Sequence, residues 1–431
     1  MNRLILKGGR VLDPASGKDE VTNLYIRDGV LSEPFAEERD VQSMDLNENI
    51  WVCPGMIDSM VHLCEPGTSA RETVETGTQA AAAGGFTSVI NMPGNSPPTD
   101  EVHRLIWVQE RIRNKAQVNV FPTATISRGM EGKLLAPVGS LFKAGAVALT
   151  DHKHCLENNE LMRRALEYAS MFDIPILDHC RDTSLSSDGV MNEGYWSTVL
   201  GLRGWPCIAE EIIVSRNALL AELTGARVHC LQVTTSGSLR VLKEAKDRGV
   251  SISCSATPHH LALSDDLLAD YDTSYKVSPP LRIESDSEAL RKAAKSGVID
   301  FLCSDHSPYC VYEKEVEFDY APFGGPGLET AVGASLQSLV HQQSMSPMDW
   351  VKLWTINPAK YFKLDKGTLG VGAAADVTVI NPDCEWVVNP KQFCSKSKIS
   401  PFAGRALKGR AIYTIVNGNV VWQSSDKDRN E

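Results

Sequence analysis

The chain has 431 residues, room for two or three average domains or for one large α/β barrel with a small satellite. A 42% hydrophobic share beside 23% charged residues excludes disordered and collagen-like classes and supplies a sizeable core. The net charge of -11, with no long Lys/Arg run, excludes a nucleic-acid or anionic-membrane footprint and leaves a small molecule as the expected partner. No apolar stretch approaches the ~18 residues of a spanning helix, and Met1 to Leu12 lacks a signal-peptide core, so a cytoplasmic location is expected. Eleven scattered cysteines without a CxxC pair predict reduced, packed thiols.

In chain order, Met1–Val52 carries short alternating strands (Leu4–Lys7, Leu24–Arg27) with turn residues between them. From Met56 to about His306 one theme repeats: a short apolar, β-branched run ending in polar residues, then a segment of helical periodicity. The eight runs are Met56–Leu63, Thr87–Met92, Asn119–Thr125, Ala146–Asp151, Ile174–His179, Arg227–Val233, Ser251–Ala256 and Asp300–Asp305. Alternating strand and helix implies parallel strands with right-handed crossovers, and eight units fit a closed (β/α)8 TIM-type barrel over 54–366. Gly367–Trp422 returns to the β-rich style. The two flanks, 1–53 and 367–431, are expected to pair as one small β-sandwich. An open doubly wound sheet would want a Gly-rich phosphate loop after an early strand, and none is present.

Active sites of such barrels collect at the C-terminal ends of the strands. Four of these ends carry metal-competent groups: His62 after Asp58, Asp151, His179 within Asp178-His179, and Asp305 within Ser304-Asp305-His306. Imidazole and carboxylate suit Zn²⁺, which lowers the pKa of bound water toward ~7. Singly, each histidine reads as a hydrogen-bonded core residue, and Asp151 and Asp305 as helix caps. Together, donors from four separate strands can meet at one point of a closed barrel.

The stretch Pro54-Gly55-Met56-Ile57-Asp58 through His62-Leu63 and Glu65-Pro66-Gly67 resembles the first-strand signature of class I dihydroorotases and related cyclic amidohydrolases. The similarity continues through Thr257-Pro258-His259-His260-Leu261, Pro279-Pro280-Leu281-Arg282, Ser304-Asp305-His306-Ser307-Pro308, Gly327-Leu328-Glu329-Thr330 and Pro401-Phe402-Ala403-Gly404, so it spans nearly the whole chain. The resemblance implies reversible ring closure of N-carbamoyl-L-aspartate to dihydroorotate in pyrimidine synthesis by metal-bound hydroxide. It implies metal ligands at His62, Asp151 (bridging), His179 and Asp305, with Asp305 also the acid/base.

The departures are specific. The first histidine of the family's HxH pair is Met60, a poor zinc ligand, and the sixth-strand ligand is Gln232. The carboxylate-gripping arginine is replaced by Cys64, two asparagines by Gly94 (beside Asn95) and Ser278, and a histidine by Tyr309. Each of the family's two metal positions thus loses a nitrogen ligand, so one zinc ion at most, or none, is expected. His152 and His154 are further candidate ligands.

Three functions compete. The first is a catalytically impaired, structural or regulatory dihydroorotase homologue, partnered for instance by aspartate transcarbamoylase. The second is an active mononuclear cyclic amidohydrolase whose Asp305 moves the proton. The third is a hydrolase using Cys64 as nucleophile with His62 nearby. A homo-oligomer is expected in each case.

Overall fold

A computed structural model describes residues 3–36 and 41–424. Residues 1–2, 37–40 and 425–431, which the expected composite domain includes, lie outside the described residues. The strands Met56–Val61 and Phe86–Asn91 are buried at every position, as parallel strands covered on both faces must be. They pair in parallel with each other, and Phe86–Asn91 pairs in parallel with Asn119–Pro122 on its other side. A second parallel set runs Ile176–His179, Val228–Leu231, Ile252–Ala256 and Phe301–Leu302. The fourth strand is barely a strand: Leu149 alone bridges Ala124 and Ile176. Closure is made where Val61 bridges His306, with the His62 N–H donating to the His306 carbonyl at 2.9 Å. Eight staves therefore close one ring, as the alternating pattern predicts.

The helices between them follow from spacing and caps. Asn159–Ser170 buries Met162, Ala165, Leu166 and Ala169, one face of a 3.6-residue period, and starts where the Asn158 side chain accepts from the Leu161 N–H. Ser236–Asp247 starts where the Thr235 hydroxyl accepts from the Ser238 N–H at 3.1 Å. These N-termini sit at the strand C-terminal ends and so help define the mouth. No helix among the described residues is long and apolar enough to cross a membrane.

Both chain ends build one small β unit, as expected, and its strands are joined in one continuous hydrogen-bonded order. Asn419–Gln423, Ala406–Val416, Val377–Val387, Trp51–Pro54, Arg3–Asp13, Lys18–Arg27 and Val30–Leu31 follow one another in a single eight-stranded sheet, with Gln42–Asp45 added beside Arg3–Asp13. The reason lies in Trp51–Pro54, which joins Arg3–Asp13 in parallel and Val377–Val387 antiparallel and so sutures the two ends. Leu4, Ile26, Val52, Val377 and Ile415 share its apolar core. The unit is fixed to the barrel by Asp376, which receives the Asn119 amide at 2.9 Å and the Lys366 ammonium at 2.7 Å, and by Trp51 against Trp350.

Behind the eighth strand, the helix Leu328–Ser335 comes very close to the ring: a Cβ on Gly327 would lie 2.0 Å from the Ser304 carbonyl oxygen. Backbone cannot yield as a flexible side chain can, so Gly327→Ala is expected to destabilise the fold by about 1–3 kcal/mol. A urea midpoint unchanged from the parent chain would contradict this reading.

Candidate active site

At the mouth, the first, fourth, fifth, sixth and eighth strand ends deliver His62, His152, His179, Gln232 and Asp305 to one buried cluster. His62 Nε2 lies 3.0 Å from His152 Nδ1, and His152 Nε2 lies 3.2 Å from Gln232 Oε1. The ring centroid of His152 is 5.1 Å from those of His62 and His179. His179 Nε2 is 3.2 Å from the Ser278 hydroxyl. Burial holds all three imidazoles below their ordinary pKa, with His179 down at about 3, so they are neutral at physiological pH. A neutral imidazole has one donor and one acceptor. With the Gln232 oxygen facing it, His152 donates through Nε2 and accepts at Nδ1 from His62, and no lone pair of His152 is left over.

Asp305 is buried, accepts from the Ser307 hydroxyl at 3.1 Å and stands 3.8 Å from His259 Nε2. Burial pushes its carboxyl up to about 7, so it can hold or release a proton near neutrality. Cys64, Gln232 and Asp305 all have left-handed backbone, with φ of 55°, 51° and 54°. Strain of this kind gathers at functional sites.

Asp151, expected as the bridging ligand, points elsewhere. Its carboxylate accepts from the Ile126 and Ser127 N–H groups at 2.8 and 3.1 Å and from the Ser127 hydroxyl at 2.5 Å, so it ties down a neighbouring loop. The next side chain, His152, enters the centre in its place. Met60 packs into the apolar barrel floor with Ile90, Leu177, Leu231 and Phe301. Among the described residues no three His, Cys, Asp or Glu side chains are grouped to hold an ion. The family's two-ion centre does not fit this donor set, because Met60 is apolar packing, Asp151 is spent on backbone, and His62 and His152 satisfy each other.

The expected nucleophile fails as well. Burial pushes the Cys64 thiol up to about 11, and its Sγ contacts the His62 carbonyl rather than an imidazole, so no thiolate forms near neutrality. The eleven cysteines are all free, as packed thiols should be.

Above the cluster opens a cavity of about 330 Å³ whose wall includes His62, Cys64, Asn95, His152, Lys153 and Tyr309. His154 is exposed on the same wall, away from the imidazole chain. Gly94 lies against the His62 edge, where a Cβ would come 3.7 Å from the ring carbon. The Lys153 ammonium donates to the Tyr309 hydroxyl at 3.1 Å, and the Arg71 guanidinium lies over the Tyr309 ring at 4.4 Å. Sequence reasoning missed Lys153 and Arg71. Only their place on the wall distinguishes them from surface cations, although Lys153 follows directly on a strand end.

Beneath the mouth, Glu329 accepts from the Cys394 and Ser395 N–H groups at 2.9 and 3.0 Å, and burial raises its carboxyl to about 7. An unfolded glutamate titrates near ~4.3, so the folded chain binds this proton more tightly. Its contribution is fully present below ~4.3 and declines as pH rises through about 7. Relative to Glu329→Gln, the parent chain is expected to lose stability between pH ~5 and ~8 in urea denaturation. A difference that stays constant across that range would sink the assignment.

A closed barrel with imidazoles and a near-neutral carboxyl at its strand ends, joined to a sheet made from both termini, is the arrangement expected of an amidohydrolase. A dihydroorotase-like family model matches residues 50–238, and an amidohydrolase family model matches residues 223–422. The dihydroorotase of Pelotomaculum thermopropionicum is 47% identical over 98% of this chain and 99% of its own, and that of Syntrophus aciditrophicus 43% over the same shares. The chain belongs to the dihydroorotase family. Among solved structures, the L-hydantoinase (dihydropyrimidinase) of Arthrobacter aurescens superposes with a TM-score of 0.87 at 23% identity, covering 99% of this chain and 97% of that one. That likeness concerns the fold.

Proposed function

We propose that this dihydroorotase-type amidohydrolase keeps a pocket for a small cyclic amide or ureido acid but turns dihydroorotate over far more slowly than an ordinary member. The observation that carries the reading is the His62–His152–Gln232 chain, which occupies the centre with donors paired to each other. What this chain's residues can do there is bind and orient a ligand beneath the cavity and pass a proton at the Asp305 carboxyl. In this reading the protein serves as a structural or regulatory homologue, with aspartate transcarbamoylase as the expected partner.

The second reading is an active cyclic amidohydrolase with one zinc ion. The comparisons favour it, since relatives 47% and 43% identical over their full length carry the name dihydroorotase and none of them points to lost activity. Asp305, with its carboxyl near 7, suits the acid/base role in either case. For an ion to enter, His62 and His152 would have to turn out of their mutual hydrogen bond. Zinc content and dihydroorotate hydrolysis, measured on one preparation, separate the two. About one equivalent of zinc with ordinary turnover establishes the second reading; less than about a tenth of an equivalent with negligible turnover supports the first.

A further inference from the structure

The cavity wall is one-sided in charge. It contains Arg71 and Lys153 and no aspartate or glutamate. Arg71 is already neutralised, since its Nε lies 3.0 Å from Glu313 Oε1 in a bidentate pair that also engages Nη2. Lys153 differs. Among the described residues no carboxylate lies within ion-pair distance of its ammonium, whose recorded partners are the Tyr309 hydroxyl at 3.1 Å and, more weakly, the Phe323 carbonyl at 3.5 Å. Its side chain is half-buried between the aromatic ring of Tyr309, 4.8 Å away, and the imidazole cluster. An ammonium has three N–H donors, so at least one remains for a ligand in the cavity. The same charge is felt across the whole centre, lowering the pKa of His62, His152, His179 and Asp305.

A half-buried cation with no carboxylate in ion-pair distance, facing a cavity of small-molecule size, suits an anion. The residue that the family resemblance assigns to the ligand carboxylate is lost at Cys64, yet the positive charge is present on another wall. We propose that Lys153, steered by the Tyr309 hydroxyl, is the carboxylate-binding and specificity-determining residue of this cavity. The inference rests on the reading of the cavity as a cyclic-amide or ureido-acid site and names the residue that selects the acidic member of that class. Lysine offers a point charge where arginine offers a fork, so carboxylate geometry is held less strictly here.

The test is calorimetric titration of the full chain with dihydroorotate and with dihydrouracil, the same ring without the carboxylate. Lys153→Met is expected to weaken dihydroorotate roughly tenfold to hundredfold while leaving dihydrouracil within about twofold. Lys153→Arg should retain most of the dihydroorotate affinity, which a merely structural role would not predict. Unchanged dihydroorotate binding by a folded Lys153→Met variant overturns the assignment to Lys153 and leaves the cavity reading standing. Equal weakening of both ligands shows that Lys153 shapes the wall without selecting charge, and overturns it too. A parent chain that binds neither ligand overturns the cavity reading and the inference with it.

Discussion

Replacing Arg216 by methionine is expected to cost about 3–5 kcal/mol of stability. Arg216 Nη2 lies 2.6 Å from Asp178 Oδ2, with side chains 10% and 1% exposed. Asp178 directly precedes His179, so the pair fixes the strand end that presents an imidazole to the centre. Without the guanidinium the carboxylate keeps the Asn217 amide at 2.8 Å, the Leu156 N–H at 3.5 Å and the weak Cys155 thiol at 3.9 Å, too little for a charge removed from water. The loss comes from stranding one partner more than from the worth of the pair itself. The double change Arg216→Met with Asp178→Asn should therefore recover much of the stability, a coupling that urea denaturation of the four chains measures. A single-variant cost below about 1 kcal/mol would show that the carboxylate finds other company.

Much of the architecture is legible in the sequence because a period-2 run and a period-3.6 run are local signals. The helical segments form where period-3.6 spacing places them between the strand runs, as at Val102–Lys115 and Asn159–Ser170. What local pattern cannot carry is which of two neighbours enters a site. Asp151 and His152 differ by one position, hence by the face they present, and the fourth stave is pinned by Leu149 alone. The choice is made by the Ile126 and Ser127 N–H groups, distant in sequence, which capture the carboxylate and leave the centre to the imidazole. The strand order of the small unit was hidden for the same reason, since its suture at Trp51–Pro54 pairs segments over 300 residues apart. The motif residues Pro279–Arg282 show the converse. Arg282 is buried and donates to Thr234, Asn192 and the Trp205 carbonyl, so it maintains the scaffold whatever happens to the chemistry.

That division between scaffold and centre sets the size of the last expected effect. Purified chain prepared with zinc is expected to hydrolyse dihydroorotate at least about a thousandfold more slowly than a median enzyme turning over at ~10 per second. A divalent ion brings the pKa of water from ~15.7 to ~7, a gain in hydroxide of many orders of magnitude. A general base such as Asp305 returns only about 10²–10⁴-fold of that. Because ligands act as a unit, Met60→His or Gln232→His alone should recover little. His152 would still occupy the centre, hydrogen-bonded to His62. Recovery is expected only when Met60→His and Gln232→His are combined with His152→Asp, which opens the imidazole chain and supplies a carboxylate. Zinc content should rise with that combination before turnover does, because a lysine point charge at Lys153 holds the ligand carboxylate less strictly than the arginine that Cys64 replaces. Turnover by the parent chain within about tenfold of an ordinary enzyme would reverse the argument, and the one-ion reading would then stand.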